Sequence, residues 1–190
     1  DYKARKQKTM EELSQKYHIS KPYLLFVGTL HPRKNVAKLI EALSLMKDTK
    51  VELVVVGKKG WMYEKIFALV QKHKLQNEII FTGYVPDEEL PALYSAATCF
   101  VYPSFYEGFG IPVLEAMSLG CPVVTSNFGA MAEIGEGCAL LVDPYDIDSI
   151  ADGIARVIRD SDLRNRMIVD GLDRSKVFSL EVQAQNYIKV

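Results

Sequence analysis

Two short segments concentrate the residue types that could hold and activate a charged ligand. The first is Gly28-Thr29-Leu30-His31-Pro32-Arg33-Lys34-Asn35, which closes one apolar run and opens onto a helical pattern starting near Val36. Adjacent cations at a helix N-terminus repel each other and add to the positive end of the helix dipole, so the arrangement calls for an anion. A diphosphate suits it: Arg33 offers a bidentate fork and Lys34 a mobile point charge. A solvated Arg-Lys pair beside a proline turn is the alternative, and this segment alone leaves both open.

The second segment runs from Tyr102 through Pro103, Ser104, Phe105, Tyr106, Glu107, Gly108, Phe109, Gly110, Ile111 and Pro112 to Met117. Gly108 and Gly110 permit close backbone approach, and Pro112 suits the first turn of a helix. Glu107 then lies in a loop and Glu115 on the helix, with the amides around Phe109 between them. Such a pocket fits a polyhydroxylated phosphate ester. The carboxylates accept from vicinal hydroxyls, while the N–H groups, Arg33 and Lys34 face the phosphates. Paired carboxylates could instead be the general acid and base of glycoside hydrolysis, a reading disfavoured by the anion-seeking turn beside them. An isolated GxG also occurs in plain strand-to-helix loops.

These segments need a scaffold, and the hydrophobic pattern supplies one. Short Val/Ile/Leu/Phe runs alternate with segments of helical periodicity, which predicts an α/β fold with a parallel sheet. Six strands are expected: Tyr23 to Gly28, Val51 to Gly57, Glu78 to Gly83, Thr98 to Tyr102, Pro122 to Thr125 and Ala139 to Val142. Between them, Val36, Leu39, Ile40, Leu43 and Met46 form one stripe, Met62, Ile66, Leu69, Val70 and His73 another, and Leu90, Leu93, Tyr94 and Ala97 a third. A long helix is expected over Ile147, Ile150, Ile154, Val157 and Ile158, with further helical segments near Leu163 to Leu172 and Leu180 to Ile188. Right-handed crossovers predict a Rossmann-like doubly wound sheet of order 3-2-1-4-5-6 with helices on both faces. The first and fourth strands then meet at the switch point, and the two chemical segments follow those two strands. Residues 1–20 read as an amphipathic N-terminal helix or linker, and 21–190 as the ligand-binding domain.

Composition narrows the function classes. The chain has 190 residues, with 23 Lys plus Arg against 24 Asp plus Glu and a formal charge of -1. That balance disfavours a nucleic-acid footprint, which needs clustered cations. Cys99, Cys121 and Cys138 show no CxxC pairing and read as small buried hydrophobes in a reducing compartment. No apolar run approaches the roughly 18 residues that cross a bilayer, so no transmembrane segment and a cytoplasmic location are expected. The leading Asp1 suggests a chain cut from something longer. A dinucleotide-dependent enzyme is disfavoured, because the first turn lacks GxGxxG and Lys58 and Lys59 stand where a ribose-binding acid would follow the second strand. His18 and His73 read as surface or packing residues, Trp61 as packing on the sheet edge, with a place flanking the site as the alternative, and His31 as a neighbour of the phosphates.

Taken together, these stretches resemble the retaining glycosyltransferases of the GT-B fold, in glycosyltransferase family 4, and specifically their C-terminal, donor-binding domain. Glu107 through Glu115 is similar to the E-x7-E motif of that family, within YPSFYEGFGIPVLEAMSLGCPVVTSN. YLLFVGTLHPRKN, VELVVVG, IIFTGYVPDEEL and ALLVDP add to a likeness that spans about residues 20 to 188 in order. The resemblance implies transfer of a hexose from a UDP- or GDP-linked nucleotide-sugar to a glycan or lipid-linked acceptor. It implies no obligatory metal and no cofactor. By this likeness Glu107, Lys34 and Arg33 act at the reacting end of the donor, Glu107 on the sugar and the two cations on the diphosphate. Glu115 would take the ribose hydroxyls, and Gly108, Phe109 and Gly110 would offer backbone amides. Gly28 and Thr29 would flank the phosphates, and Tyr84, Val85 and Asp87 would line the base.

The pattern departs from the family where many relatives carry an Arg at the position of Thr29, which makes Arg33 a substitute. Glu133 matches a recurring family glutamate and is expected to brace its short helix. The acceptor half of such enzymes has no counterpart in these residues. The chain is therefore expected to work with a missing N-terminal half or partner subunit, to be inactive alone, and to meet membranes at most peripherally. The alternative is a stand-alone nucleotide-binding or interaction module that supplies half a site to a partner.

Overall fold

The computed structural model describes residues 2–46, 49–61 and 63–178. After helix α1 (Tyr2–Tyr17), strands β1 (Tyr23–Val27), β2 (Glu52–Val56), β3 (Ile79–Gly83), β4 (Cys99–Tyr102), β5 (Val123–Ser126) and β6 (Leu140–Val142) alternate with helices. Those helices are α2 (Val36–Leu45), α3 (Glu64–His73), α4 (Leu90–Ala96), α5 (Ile111–Ser118), α6 (Gly129–Gly135), α7 (Ile147–Arg159) and α8 (Ser161–Val177). All strand pairs are parallel, in the order β3-β2-β1-β4-β5-β6. This is the Rossmann-like order expected from the crossover rule, with β1 beside β4 through Leu24↔Cys99 and Leu25↔Phe100.

The central strands are continuous apolar runs because helices cover them, with α2 packing on α3 and α7, and α5 packing on α6 and α8. Leu24, Leu25, Phe26, Leu53, Val54, Phe100 and Val101 are fully enclosed. The helical stripes follow the expected faces: Val36, Leu39, Ile40 and Leu43 are buried on α2, and Ile150, Ile154 and Val157 on α7. Met62 and the segment Leu180 to Ile188 lie outside the described residues. Helix α8 is longer than the apolar pattern suggests. Its N-cap Asp160 accepts from the Leu163 amide at 2.8 Å, and mostly Met167 and Gly171 face inward.

Strand ends differ from expectation by a residue or so, for a local reason. β1 and β2 stop before Gly28 and Gly57 because their outgoing turns run side by side. The Gly28 amide donates to Val56 O at 2.8 Å and the Leu30 amide to Lys58 O at 3.0 Å. A Cβ on Gly57 would sit 2.0 Å from Gly28 O, so this approach requires glycine.

Cys99, Cys121 and Cys138 are buried free thiols. Burial disfavours the thiolate and pushes their pKa up, to about 12 for Cys121. Among the described residues, no helix is long and apolar enough to cross a membrane, and no cluster of His, Cys, Asp and Glu could hold a metal ion.

Candidate functional site

The turn after β1 is built around a one-turn 3-10 helix, Pro32–Lys34, in which Pro32 presets the first turn and His31 Nδ1 accepts from the Arg33 amide at 3.3 Å. Asn35 then takes a left-handed conformation, with φ of 60°, and is buried. Its side-chain amide donates to Pro103 O at 2.9 Å and to Pro144 O at 2.8 Å. One side chain thus ties together the loops that leave β1, β4 and β6. The Phe105 amide adds a direct bond to Arg33 O at 2.9 Å.

That lacing brings the two chemical segments into contact. Glu107 Oε1 lies 2.7 Å from Lys34 Nζ, and Glu107 Oε2 lies 3.1 Å from an Arg33 guanidinium nitrogen. The Tyr102 hydroxyl donates to Glu107 Oε1 at 3.2 Å, and the Lys34 ammonium in turn donates to the Tyr102 oxygen. The side chains of Glu107 and Lys34 are only 8% and 12% exposed, whereas that of Arg33 is 48% exposed. Lys34 is therefore not a solvated cation, and the anion that the Arg-Lys turn calls for is supplied, within the chain itself, by Glu107.

Glu115 occupies a neighbouring position on α5. Its Oε2 accepts from the Tyr94 hydroxyl at 3.1 Å, and with Asp87, Leu90, Pro91, Tyr94 and Leu119 it lines a hollow of about 310 Å³. The tyrosines beneath the two glutamates share a neighbour, because the Phe100 ring packs 5.3 Å from Tyr94 and 5.4 Å from Tyr102. Burial, helped by the nearby glutamate, raises both phenols well above their ordinary range, so both remain hydroxyl donors.

The remaining expected residues sort by accessibility. Gly108 and Phe109 are exposed, while Gly110 is buried with φ of 95° as the N-cap of α5, where a Cβ would meet Met131 Cε at 2.1 Å. Lys34 passes over Gly28, and Thr29 is open to solvent. Tyr84 is exposed, with the Lys58 ammonium 5.3 Å from its ring centroid. Val85 is 2% exposed and packs into the core, which leaves only its backbone to line a ligand.

Two expectations change. Trp61 is 69% exposed rather than packed on the sheet edge, and its ring lies 6.3 Å from that of His31 across a hollow of about 260 Å³. Glu133 is exposed, and it is its carbonyl that accepts from Arg174, at 2.6 Å, so the link from α6 to α8 runs through the backbone. A roomier hollow of about 480 Å³ lies at the opposite end of the strands, against Pro22, Thr98 and Pro122, far from these groups in the fold. Tyr102, Tyr94 and Asn35 were not singled out by their sequence context, although a tyrosine ending the switch-point strand and an asparagine between a cation pair and a helix are available signals.

Comparison with known proteins matches residues 9–173 to the family described as glycosyl transferases group 1. O-antigen chain mannosyltransferase B of Escherichia coli is 43% identical over 171 residues, covering 88% of this chain and 45% of that protein. The sucrose-phosphate synthase structure from Thermosynechococcus elongatus superposes with a TM-score of 0.82 at 29% identity, over 94% of this chain and 48% of that one. The C-terminal domain of a group 1 glycosyl transferase from Francisella tularensis, LpcC, superposes with a TM-score of 0.75 at 30% identity, over 87% of this chain and 90% of that domain. The chain spans less than half the length of the curated relatives it matches. Sequence, sheet order and superposition agree: the chain belongs to the group 1 glycosyl transferases.

Proposed function

We propose that this chain is the nucleotide-sugar-binding half of a retaining glycosyltransferase, the C-terminal domain of a GT-B enzyme whose other half brings the acceptor. The observation that carries this reading is the convergence of Arg33, Lys34 and Glu107 at the β1/β4 switch point. The donor diphosphate would take the two cations, Glu107 would face the sugar, and Glu115 with Asp87 would receive ribose and base in the adjoining hollow. As the glycosidic bond breaks, negative charge grows on the leaving diphosphate, and preorganised cations stabilise it most in that state. Arg33 and Lys34 serve this purpose without a metal. The names of the relatives support a hexosyl donor, mannosyl in the first instance, and a glycan acceptor of the O-antigen kind.

Titration calorimetry with UDP, GDP and ADP in the presence of a chelator tests the reading. Binding of at least one nucleotide is expected, with little or no sugar transfer by the chain alone; failure of all three would overturn it.

A further inference from the structure

Tyr102 is the last residue of β4, and its ring is fixed on both sides, 5.6 Å from Phe26 and 5.4 Å from Phe100. Its hydroxyl reaches the same Glu107 oxygen that Lys34 contacts. In this nearly enclosed spot a carboxylate needs donors, because an uncompensated charge in a low-dielectric environment is costly. Three groups supply them: Arg33, Lys34 and Tyr102. The first two are cations on long side chains that a diphosphate would also claim, whereas the third is neutral and anchored in the core.

We infer that Tyr102 is a positioning residue: its hydroxyl holds the Glu107 carboxylate in place when Arg33 and Lys34 move onto the diphosphate. The inference rests on the donor-binding reading above. Without the hydroxyl, Glu107 depends on the two cations alone, and an incoming diphosphate must compete harder for them. Tyr102 thus acts through Glu107 and Lys34 and needs no contact with the ligand.

The test compares nucleoside diphosphate with the monophosphate of the same base, measured by calorimetry on this chain. Tyr102→Phe keeps the packed ring and removes only the hydroxyl, and it is expected to lower the diphosphate-over-monophosphate preference about tenfold, the scale of a hydrogen bond to a charged group. Tyr23→Phe is the control. Tyr23 is also a buried tyrosine, donating to Leu93 O at 2.6 Å at the other end of β1, so its loss is expected to lower Tm and leave the preference unchanged. In a Glu107→Gln background the effect of Tyr102→Phe is expected to shrink to less than about twofold, because the charge it serves is gone.

An unchanged preference in Tyr102→Phe, or an equal loss in both backgrounds, overturns the inference while leaving donor binding intact. Absence of nucleotide binding by the unsubstituted chain overturns the donor-binding reading and this inference with it. Should Tyr102→Phe fail to fold in buffer, the same preference is measured in a stabilising osmolyte: a loss of about tenfold is expected, and an unchanged preference overturns the assignment.

Discussion

Lys34 Nζ and Glu107 Oε1, brought together from the loops after β1 and β4, lie 2.7 Å apart and almost out of solvent. The most enclosed cation of the site therefore already carries its counter-ion. A ligand that needs this cation must displace a carboxylate to reach it, and this competition governs what substitutions here will do.

Glu107→Gln removes the internal competitor. The free chain should lose stability, because two cations are left facing each other, yet its affinity for a nucleoside diphosphate should rise, on the order of tenfold, since the ligand now supplies the missing charge. Thermal melts with and without nucleotide check this, and a larger ligand-induced rise in Tm than in the unsubstituted chain is the expected result.

Lys34→Ala and Arg33→Ala should not be equivalent. Lys34→Ala leaves a nearly buried carboxylate short of its closest partner and should cost roughly 3 kcal/mol of folding stability, together with most of the nucleotide affinity. Arg33 is half exposed, so Arg33→Ala should cost at most about 1 kcal/mol. Urea denaturation compares the two, and equal losses would contradict the burial difference.

Gly108→Ala and Gly110→Ala separate ligand approach from backbone strain. At Gly108 an added Cβ meets nothing within 4 Å, so stability should change by less than about 0.5 kcal/mol while nucleotide-sugar affinity falls. At Gly110 the Cβ is forced against Met131 in a left-handed backbone, and a loss of about 2 kcal/mol or more is expected. Denaturation midpoints alongside titrations distinguish them.

Stability should fall on the alkaline side. The buried thiols ionise in the unfolded chain near their ordinary value of 9.0 but in the folded chain only higher, at about 12 for Cys121. The stabilising contribution is complete below pH 9 and is lost as pH rises from there toward 12, by about 1.4 kcal/mol per pH unit for each group that titrates only when unfolded. Tyr23, Tyr94 and Tyr102 add to the same trend above pH 10. Urea midpoints from pH 7 to pH 11 should decline past pH 9, and a flat profile would contradict the burial of these groups.

The strands were legible because buried parallel strands read as unbroken runs such as Leu53-Val54-Val55-Val56, and their order followed from the crossover rule. The meeting of Arg33, Lys34 and Glu107 was legible because each stands just past a switch-point strand. Asn35 was not, since an asparagine before a helix suggests a cap, whereas its side chain reaches carbonyls that come from Pro103 and Pro144. Tyr102 was hidden by its own role as a core ring: its strand periodicity explains the burial and is silent on the hydroxyl. Trp61 shows the reverse error, an aromatic assigned to packing that the structure leaves in water.

The Asn35 clamp bears on how such a site can diversify. Its partners are main-chain oxygens, which every residue type provides, so the segments leaving β4 and β6 can change their side chains without loosening their mutual placement. Replacement of the exposed side chains beyond Pro103 and Pro144, such as Tyr106 and Tyr145, should therefore be accommodated as long as the asparagine is kept, making this corner a place where side-chain chemistry can vary on a fixed backbone.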